Sequence, residues 1–156
     1  MNGSIEFEDN TIKVIGAIND KIIAAMHEAA GEIEAAAKKN TRVESGQTRG
    51  AWGYEVIETE SGAEAHIGNP LENAIWEEYG TGEYAAEGNG RKGGWYIPEE
   101  KLTESAKKHM KKVHGKDGKI YYYTKGKKPQ RMLEKAFNEN QTTVQTIFKE
   151  ALKEMK

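Results

Sequence analysis

Cysteine is absent from this chain of 156 residues, so neither a disulfide framework nor a thiolate metal site can form, and packing alone must hold the fold. Long apolar runs are absent too. No stretch approaches the roughly 20 residues of a membrane-spanning helix, and no signal-peptide pattern is present. Hydrophobic residues make up 37% of the chain, which suffices for one modest core. We therefore expect a single domain over residues 1–156, made in the cytosol.

Proline is scarce, with three residues, whereas glycine is abundant, with 17. Six of these glycines fall between Gly80 and Gly94. Such a density disfavours a regular element, because glycine loses more backbone freedom on ordering than any other residue. We therefore predict a flexible glycine-rich loop at 80–94 that becomes ordered on a partner.

The net charge of −2 hides an uneven distribution along the chain. Residues 1–88 hold 17 acidic and 6 basic side chains, whereas residues 89–156 hold 8 acidic and 17 basic ones. This asymmetry fits two solvated faces of opposite sign, and it equally fits head-to-tail self-association. A basic C-terminal half can also serve nucleic acid.

Apolar side chains recur every three or four residues in two long segments, which predicts amphipathic helices at 19–40 and 131–155. Asn19 or Asp20 can cap the first of them. The apolar stripes of both helices should be mostly buried. They include Ile22, Met26, Ile33, Leu133, Phe137, Val144, Phe148 and Leu152.

Alternation of apolar and polar residues predicts the strands. They form a hairpin around Asp9 and Asn10 and continue at 51–58, 63–67, 95–97 and 119–124, with shorter helices at 71–79 and 99–113. The sequence therefore predicts an α+β fold, in which a small antiparallel sheet packs against a long N-terminal helix and a long C-terminal helix.

No pattern of catalytic or metal-binding residues stands out. Gly88–Gly93 matches GxGxxG in form, but a dinucleotide site needs a strand before it and a helix after it. The adjacent carboxylates of Glu77 and Glu78 point in different directions on a helix or a strand, so they make a poor acid–base pair. The histidines lack metal-site spacing; they are His27, His66, His109 and His114. We expect no enzyme activity, no metal and no cofactor.

Six basic side chains lie in or beside glycine-containing loops and have aromatic neighbours in sequence. They are Arg91, Lys92, Lys125, Lys127, Lys128 and Arg131. Basic loops with aromatic neighbours suit a nucleic-acid backbone, and they suit an acidic protein surface equally well. A small nucleic-acid-binding module that uses the basic C-terminal half is therefore an alternative function.

Three segments follow one another in a recognisable order. Ser45–Trp52 reads SGQTRGAW, Glu77–Gly82 reads EEYGTG, and Tyr121–Phe137 contains KGKKPQ before the last helix. This set resembles the tail-completion, or head–tail joining, family of long-tailed bacteriophages and prophages, typified by gene product ten of a lambdoid phage. The chain departs from the family pattern at Met132 and in Glu99–Gly118, which looks like an insertion.

The resemblance implies a non-enzymatic virion protein, made in the bacterial host cytoplasm, that forms a ring of subunits at the neck. The implied partners are further copies of itself, a tail terminator or tail tube protein, and head connector proteins. Non-specific contact with packaged DNA is compatible with this place, and no membrane is involved. Our candidate assembly residues combine the charges and aromatic side chains of the central segments: Trp76, Glu77, Glu78, Tyr79, Arg91, Lys92, Trp95, Lys125, Lys127 and Lys128.

Overall fold

The structure of the protein is a computed structural model. It describes residues 4–8, 10–16, 20–43 and 46–154. The predicted cap Asn19, the turn residue Asp9 and the motif residue Ser45 lie outside the described residues, as does Met155 at the end of the predicted last helix.

Helices and strands are interspersed along the chain. The helices are α1 (Asp20–Asn40), α2 (Gln47–Gly50), α3 (Glu72–Tyr79), α4 (Glu104–Lys107) and α5 (Met132–Lys153). The strands are β1 (Ser4–Glu8), β2 (Thr11–Ile15), β3 (Gly53–Thr59), β4 (Gly62–Gly68), β5 (Trp95–Pro98), β6 (Lys111–His114) and β7 (Ile120–Thr124). This mixture confirms the predicted α+β class, with both long helices in place.

Two compact units make up the chain. The first unit consists of Met1–Ala74 together with Arg131–Lys156, and the second unit consists of Ile75–Gln130. The expectation of a single domain over the whole length stays a prediction.

The first unit contains a four-stranded antiparallel sheet with the strand order β1-β2-β4-β3. The predicted N-terminal hairpin is confirmed, with Ile5 opposite Val14. Strand β3 begins later than predicted because Ala51 caps the end of α2, with its N–H directed at the Gln47 and Thr48 carbonyls. Trp52 follows this cap and belongs to the core. Its side chain is buried, and its indole N–H donates to Thr41 Oγ1 at 2.8 Å.

Helix α1 lies against β3 and β4, and α5 packs along α1. Buried alanines on α1, such as Ala29 and Ala30, allow the two helices to approach closely. The ring of Phe137 on α5 meets Phe7 of β1 edge-to-face, with the ring centroids 6.5 Å apart. One apolar core therefore joins both long helices to the sheet.

Burial of the predicted helical stripes is mostly confirmed. Ile22, Met26, Ile33, Phe137, Val144 and Phe148 are all buried. Leu133 is only half-buried, since its neighbour Met132 takes the fully buried position at the start of α5. The prediction for Leu152 is wrong. It is 41% exposed and lines a shallow groove of about 400 Å³ with Ile5 and Lys149.

The second unit has a sheet of its own, three-stranded and antiparallel, with the order β5-β7-β6. The sequence predicted two of its strands but not that they form a separate sheet. The central strand β7 reads IYYYT. Tyr122 in its middle is buried and lies opposite Ile97 of β5 and Lys112 of β6.

The predicted helix at 99–113 is wrong. The segment contains a single 3₁₀ turn, the one-turn helix α4, and then strand β6. Leu102, Ala106 and Met110 do have helical spacing, but Thr103 starts a new helix by accepting a hydrogen bond from Ala106 N–H at 3.2 Å. The residues after α4 pair with the aromatic strand β7, so tertiary pairing overrides the local helical pattern.

Candidate functional site

All of the candidate assembly residues lie in the second unit. Trp76, Glu77, Glu78 and Tyr79 occupy the second half of α3. The others lie in the segment before β5, at the start of β5, and in the segment after β7. The structure therefore collects residues from three stretches of sequence into one compact unit.

Two of the motif segments bind each other directly. Thr81 N–H donates to the Lys127 carbonyl at 2.9 Å, and Glu83 N–H donates to the Lys125 carbonyl at 2.8 Å. Gln130 N–H donates to the Glu77 carbonyl at 2.7 Å. We call the two paired stretches, residues 77–83 and 125–130, the motif clamp.

Glycine is required where the two backbones of the motif clamp approach each other. Gly80 has φ 74°, and a Cβ there would lie 2.7 Å from the Lys127 carbonyl oxygen. Gly82 has φ 62°, and a Cβ there would collide with the Lys125 carbonyl. Both the positive φ and the missing side chain are therefore needed, which gives a physical reason for the G-T-G sequence.

Charged side chains reinforce the motif clamp. The carboxylate of Glu77, whose side chain is 17% exposed, binds Lys127 Nζ and accepts a hydrogen bond from Gln130 Nε2. Glu83 Oε2 lies 3.6 Å from Lys125 Nζ. Head-to-tail self-association would place acidic and basic side chains such as Glu77 and Lys127 on opposite sides of a contact between subunits. The structure pairs them within one chain, and their part in a contact between subunits stays a prediction.

Two further cations lie over aromatic rings. The Arg91 guanidinium lies 5.4 Å from the centre of the Trp95 ring, and Lys128 Nζ lies 5.8 Å from the centre of the Tyr84 ring. Such contacts orient the cation and cover the ring face. The remaining candidate cation, Lys92, is exposed.

Helix α3 presents an apolar surface to solvent. Ile75, Trp76 and Tyr79 are 54%, 53% and 50% exposed. They lie within one turn of each other, and nearby in sequence Tyr84 is 42% exposed. We call Ile75, Trp76 and Tyr79 the α3 surface. Grouped exposed apolar side chains mark contact sites, and Ile75 is a member that the sequence analysis did not single out.

The glycine-rich segment at 80–94 is bonded within the second unit near both ends. Ala86 N–H donates to the Tyr79 carbonyl at 2.8 Å. At the other end, Gly93 N–H donates to Glu83 Oε1 at 3.1 Å, and its carbonyl accepts from the Tyr123 hydroxyl at 3.1 Å. Its mobility in solution stays a prediction.

The first motif segment belongs to the first unit. It folds as α2, which begins after Gly46 with φ 76°. Asn69 Nδ2 donates to the Thr48 carbonyl at 2.8 Å, and Asn73 Nδ2 donates to Thr48 Oγ1 at 3.0 Å. The segment is therefore held by the residues that precede and begin α3.

The four histidines have no common site. His66 lies 3.2 Å from Thr11 Oγ1 and 3.0 Å from Glu64 Oε2, whereas the His27 ring meets Tyr54. Over the ranges that the structure describes, no group of three or more histidine, aspartate or glutamate residues is placed to hold a metal ion. Among the described helices, none combines the length and apolar character needed to cross a membrane.

Two hydrogen-bonded pairs in the second unit shift side-chain pKa values. The Tyr121 hydroxyl donates to Asp117 Oδ2 at 2.7 Å, which lowers the pKa of Asp117 and raises that of Tyr121. Lys107 Nζ donates to Glu104 Oε1 at 2.6 Å, which lowers the pKa of Glu104 and raises that of Lys107. The first pair spans the turn between β6 and β7, and the second lies within α4.

Comparison with known proteins gives a match to a protein family. Residues 6–80 match a family described as "Bacteriophage HK97-gp10, putative tail-component". No curated protein and no solved structure matches the chain. The matched residues include the SGQTRGAW segment and end within EEYGTG, which is consistent with a phage tail-completion or neck family. The description of this family assigns its members to the phage tail. Over residues 6–80, slightly less than half of its length, the chain thus has the sequence pattern of the HK97-gp10-like family of phage tail components.

Proposed function

We propose that the protein is a structural, non-enzymatic component of a phage or prophage virion at the head–tail junction. It acts as a tail-completion or neck protein, in a ring of subunits between the tail tube and the head connector. The family match over residues 6–80 supports the tail role. The proposal of a neck role rests on the motif clamp. It binds the KPQ segment to the EEYGTG segment, and the KPQ segment lies beyond the residues that match the family.

The motif clamp gives the α3 surface a firm support. Glu77, in the second half of α3, is bound through its carbonyl and its carboxylate to residues 125–130. Trp76 and Tyr79 flank this bound residue and remain half exposed. Side chains that are ordered before binding lose less conformational freedom on association. Large aromatic side chains of this kind supply most of the affinity in protein interfaces.

The two units differ in the sign of their net charge. The first unit holds 17 acidic and 11 basic residues, a net charge of −6, whereas the second holds 8 acidic and 12 basic residues, a net charge of +4. In a closed ring each subunit makes the same two-sided contact with its neighbours. The first unit of one copy can therefore attract the second unit of the next. Exposed charge pairs contribute little affinity, so their effect is on orientation and association rate.

Deletion of the gene from the phage tests the proposal. Negative-stain microscopy of the lysate should show filled heads and separate tails, and expression of the protein in trans should restore joined particles. A labelled copy in purified particles should lie at the junction. Normal joining in the deletion strain, or a label along the tail shaft, would contradict the neck role.

A further inference from the structure

The three-stranded sheet of the second unit has two unlike faces. Tyr122 of the central strand is 7% exposed, so its face of the sheet is covered. Side chains alternate along a strand, so Tyr121 and Tyr123 lie on the opposite face. Tyr96 of β5 lies opposite Tyr123 and is 60% exposed. Tyr121 and Tyr123 are half-buried, so this second face is open to solvent mainly at Tyr96.

The strand register arranges the open face in two rows. Lys111, Tyr123 and Tyr96 lie opposite one another across β6, β7 and β5, and form the first row. Val113, Tyr121 and Pro98 form the second row. We call these six residues the tyrosine face.

The tyrosine rings are held in place. The rings of Tyr96 and Tyr123 lie against each other, with centroids 5.2 Å apart and planes inclined by 51°. The Tyr123 hydroxyl donates to the Gly93 carbonyl, and the Tyr121 hydroxyl donates to Asp117 Oδ2. Rings that are fixed before binding offer a stacking surface at a lower entropic cost.

Positive charge borders the first row of the tyrosine face. Lys111 belongs to this row and is exposed. Lys112 lies opposite Tyr122 and therefore on the other face of the sheet, and Lys116 and Lys119 lie in the turn between β6 and β7, beyond the second row. The acidic groups near Tyr121 lie beside the second row. Of these, Asp117 already accepts hydrogen bonds from the Tyr121 hydroxyl and from Lys119 N–H, and Glu100 acts on Tyr121 through its charge. The first row is therefore the side suited to an anion.

We propose that the tyrosine face binds single-stranded nucleic acid, with bases stacked on the Tyr96 and Tyr123 rings and a phosphate beside Lys111. Aromatic rings beside a lysine suit a single strand, because each base can stack on a ring and each phosphate carries a negative charge. A duplex cannot offer its bases in this way.

This site differs from the basic residues that the sequence suggested. Lys125, Lys127 and Arg131 are engaged with Glu83, Glu77 and Glu134. The tyrosine face instead uses the strand β6, within the segment that looked like an insertion. The proposal goes beyond a role at the neck and does not depend on it.

Fluorescence anisotropy of the full chain with a labelled oligothymidine, and with a duplex of equal length, tests the proposal. The single strand should bind more tightly than the duplex. Its log affinity should fall linearly with log salt, with a slope of about −0.7 for each phosphate neutralised. The double variant Tyr96→Ala/Tyr123→Ala should bind the single strand at least about fivefold more weakly, the lower end of base–aromatic stacking. Lys111→Glu should lower both the affinity and the salt slope.

Matched variants distinguish binding at the tyrosine face from the effect of losing any exposed tyrosine or of changing the net charge. Tyr96→Phe/Tyr123→Phe keeps the rings and should keep the affinity. Tyr84→Ala removes an exposed tyrosine elsewhere in the second unit, and Lys149→Glu reverses an exposed charge on α5; neither should change binding. Circular dichroism establishes that each variant is folded.

Three outcomes would overturn the proposal. The first is that the folded wild type binds neither oligonucleotide at low salt. The second is equal binding of duplex and single strand without any effect of the tyrosine substitutions, which would mean unspecific charge attraction. The third is loss of self-association in Tyr96→Ala/Tyr123→Ala by sedimentation with no change in oligonucleotide binding, which would make the tyrosine face a protein contact.

Discussion

At the scale of single residues, Glu77 shows how the environment decides what a carboxylate does. The sequence offered it as half of an exposed acidic pair available to a neighbouring subunit. In the structure its side chain is 17% exposed and bound by Lys127 and Gln130. The partners lie about 50 residues further along the chain, and neither periodicity nor charge composition indicates a pairing over that separation.

The Asp117–Tyr121 hydrogen bond leads to a prediction about pH. The Tyr121 hydroxyl lowers the pKa of Asp117, so its contribution to stability is present above the unfolded pKa and is lost as the pH falls through the folded pKa. The pKa of Tyr121 is raised, so that contribution is present below its unfolded pKa and is lost as the pH rises through the folded pKa. The bond should therefore stabilise the β6–β7 turn between about pH 4 and pH 10.

Substitution of Tyr121 by phenylalanine tests this coupling. The pKa of Asp117 should rise towards its ordinary value, and an NMR titration of the carboxyl carbon measures it. Tyr96→Phe removes an exposed hydroxyl from the same sheet and serves as the control, with no expected change at Asp117. Identical Asp117 titration curves in wild type and Tyr121→Phe would show that the bond does not form in solution.

At the scale of elements, the long helices were predicted well because their signal is local. Spacings of three and four residues predicted α1 and α5, and most of the stripe is buried. The helix expected at 99–113 had the same local spacing, but part of the segment pairs with β7 instead. Here the partner strand lies just across a short turn, with Lys111 opposite Tyr123 and His114 opposite Ile120. The helical spacing of the apolar residues before β6 gives no indication of this pairing.

The helix–helix contact predicts a large effect of one core substitution. Phe137→Ala should lower the free energy of unfolding by about 3–5 kcal/mol, because it leaves a cavity between α5 and Phe7. Urea denaturation followed by circular dichroism measures the change. Leu152→Ala on the same helix removes a side chain that is 41% exposed and should be close to neutral. Similar effects of the two substitutions would contradict the described orientation of α5.

The motif clamp predicts a difference between two glycines with similar backbone angles. Gly82 has φ 62° and faces the Lys125 carbonyl, whereas Gly88 has φ 70° and open space around it. Gly88→Ala should cost only the strain of a left-handed residue, about 1–2 kcal/mol. Gly82→Ala should cost more, because it also separates the two backbones. Equal unfolding midpoints for the two variants would argue against the close approach in the motif clamp.

At the scale of the whole molecule, the sequence proposed a set of candidate assembly residues but could not give their arrangement. The sequence identified Trp76 and Tyr79, which are half exposed on α3. It could not show that Lys125 and Lys127 already have acidic partners in the same chain. The acidic and basic parts of the molecule also differ from the acidic and basic halves of the sequence. Helix α5 follows the basic segment in sequence yet belongs to the first unit.

The α3 surface should matter for assembly and not for folding. Trp76→Ala removes a side chain that is 53% exposed, so the unfolding midpoint should change little. Joining of tails to heads, measured as infectious particles after mixing, should fall at least about thirtyfold if Trp76 anchors an interface, which corresponds to about 2 kcal/mol. Ile57→Ala, at a site that is 44% exposed in the first unit, is the control. Normal joining by Trp76→Ala would exclude the α3 surface as an anchor.

A charge exchange between Glu77 and Lys127 distinguishes pairing within a subunit from pairing between subunits. Lys127→Glu alone places two carboxylates together in the motif clamp, so joining activity should fall. The same chain with Glu77→Lys added should recover, because the pair is restored with its signs reversed and the Gln130 amide can turn to offer its oxygen. This recovery alone does not locate the pair, because a contact between identical subunits would also be restored.

Mixed subunits locate the pair. Co-expression of one chain carrying only Lys127→Glu with another carrying only Glu77→Lys restores the pair only where the two residues meet across an interface. The structure pairs them within the second unit of one chain, so the mixture should stay defective while the doubly exchanged chain joins heads to tails. Joining by the mixture would place the ion pair between neighbouring subunits of the ring, and the motif clamp would then be an assembly contact.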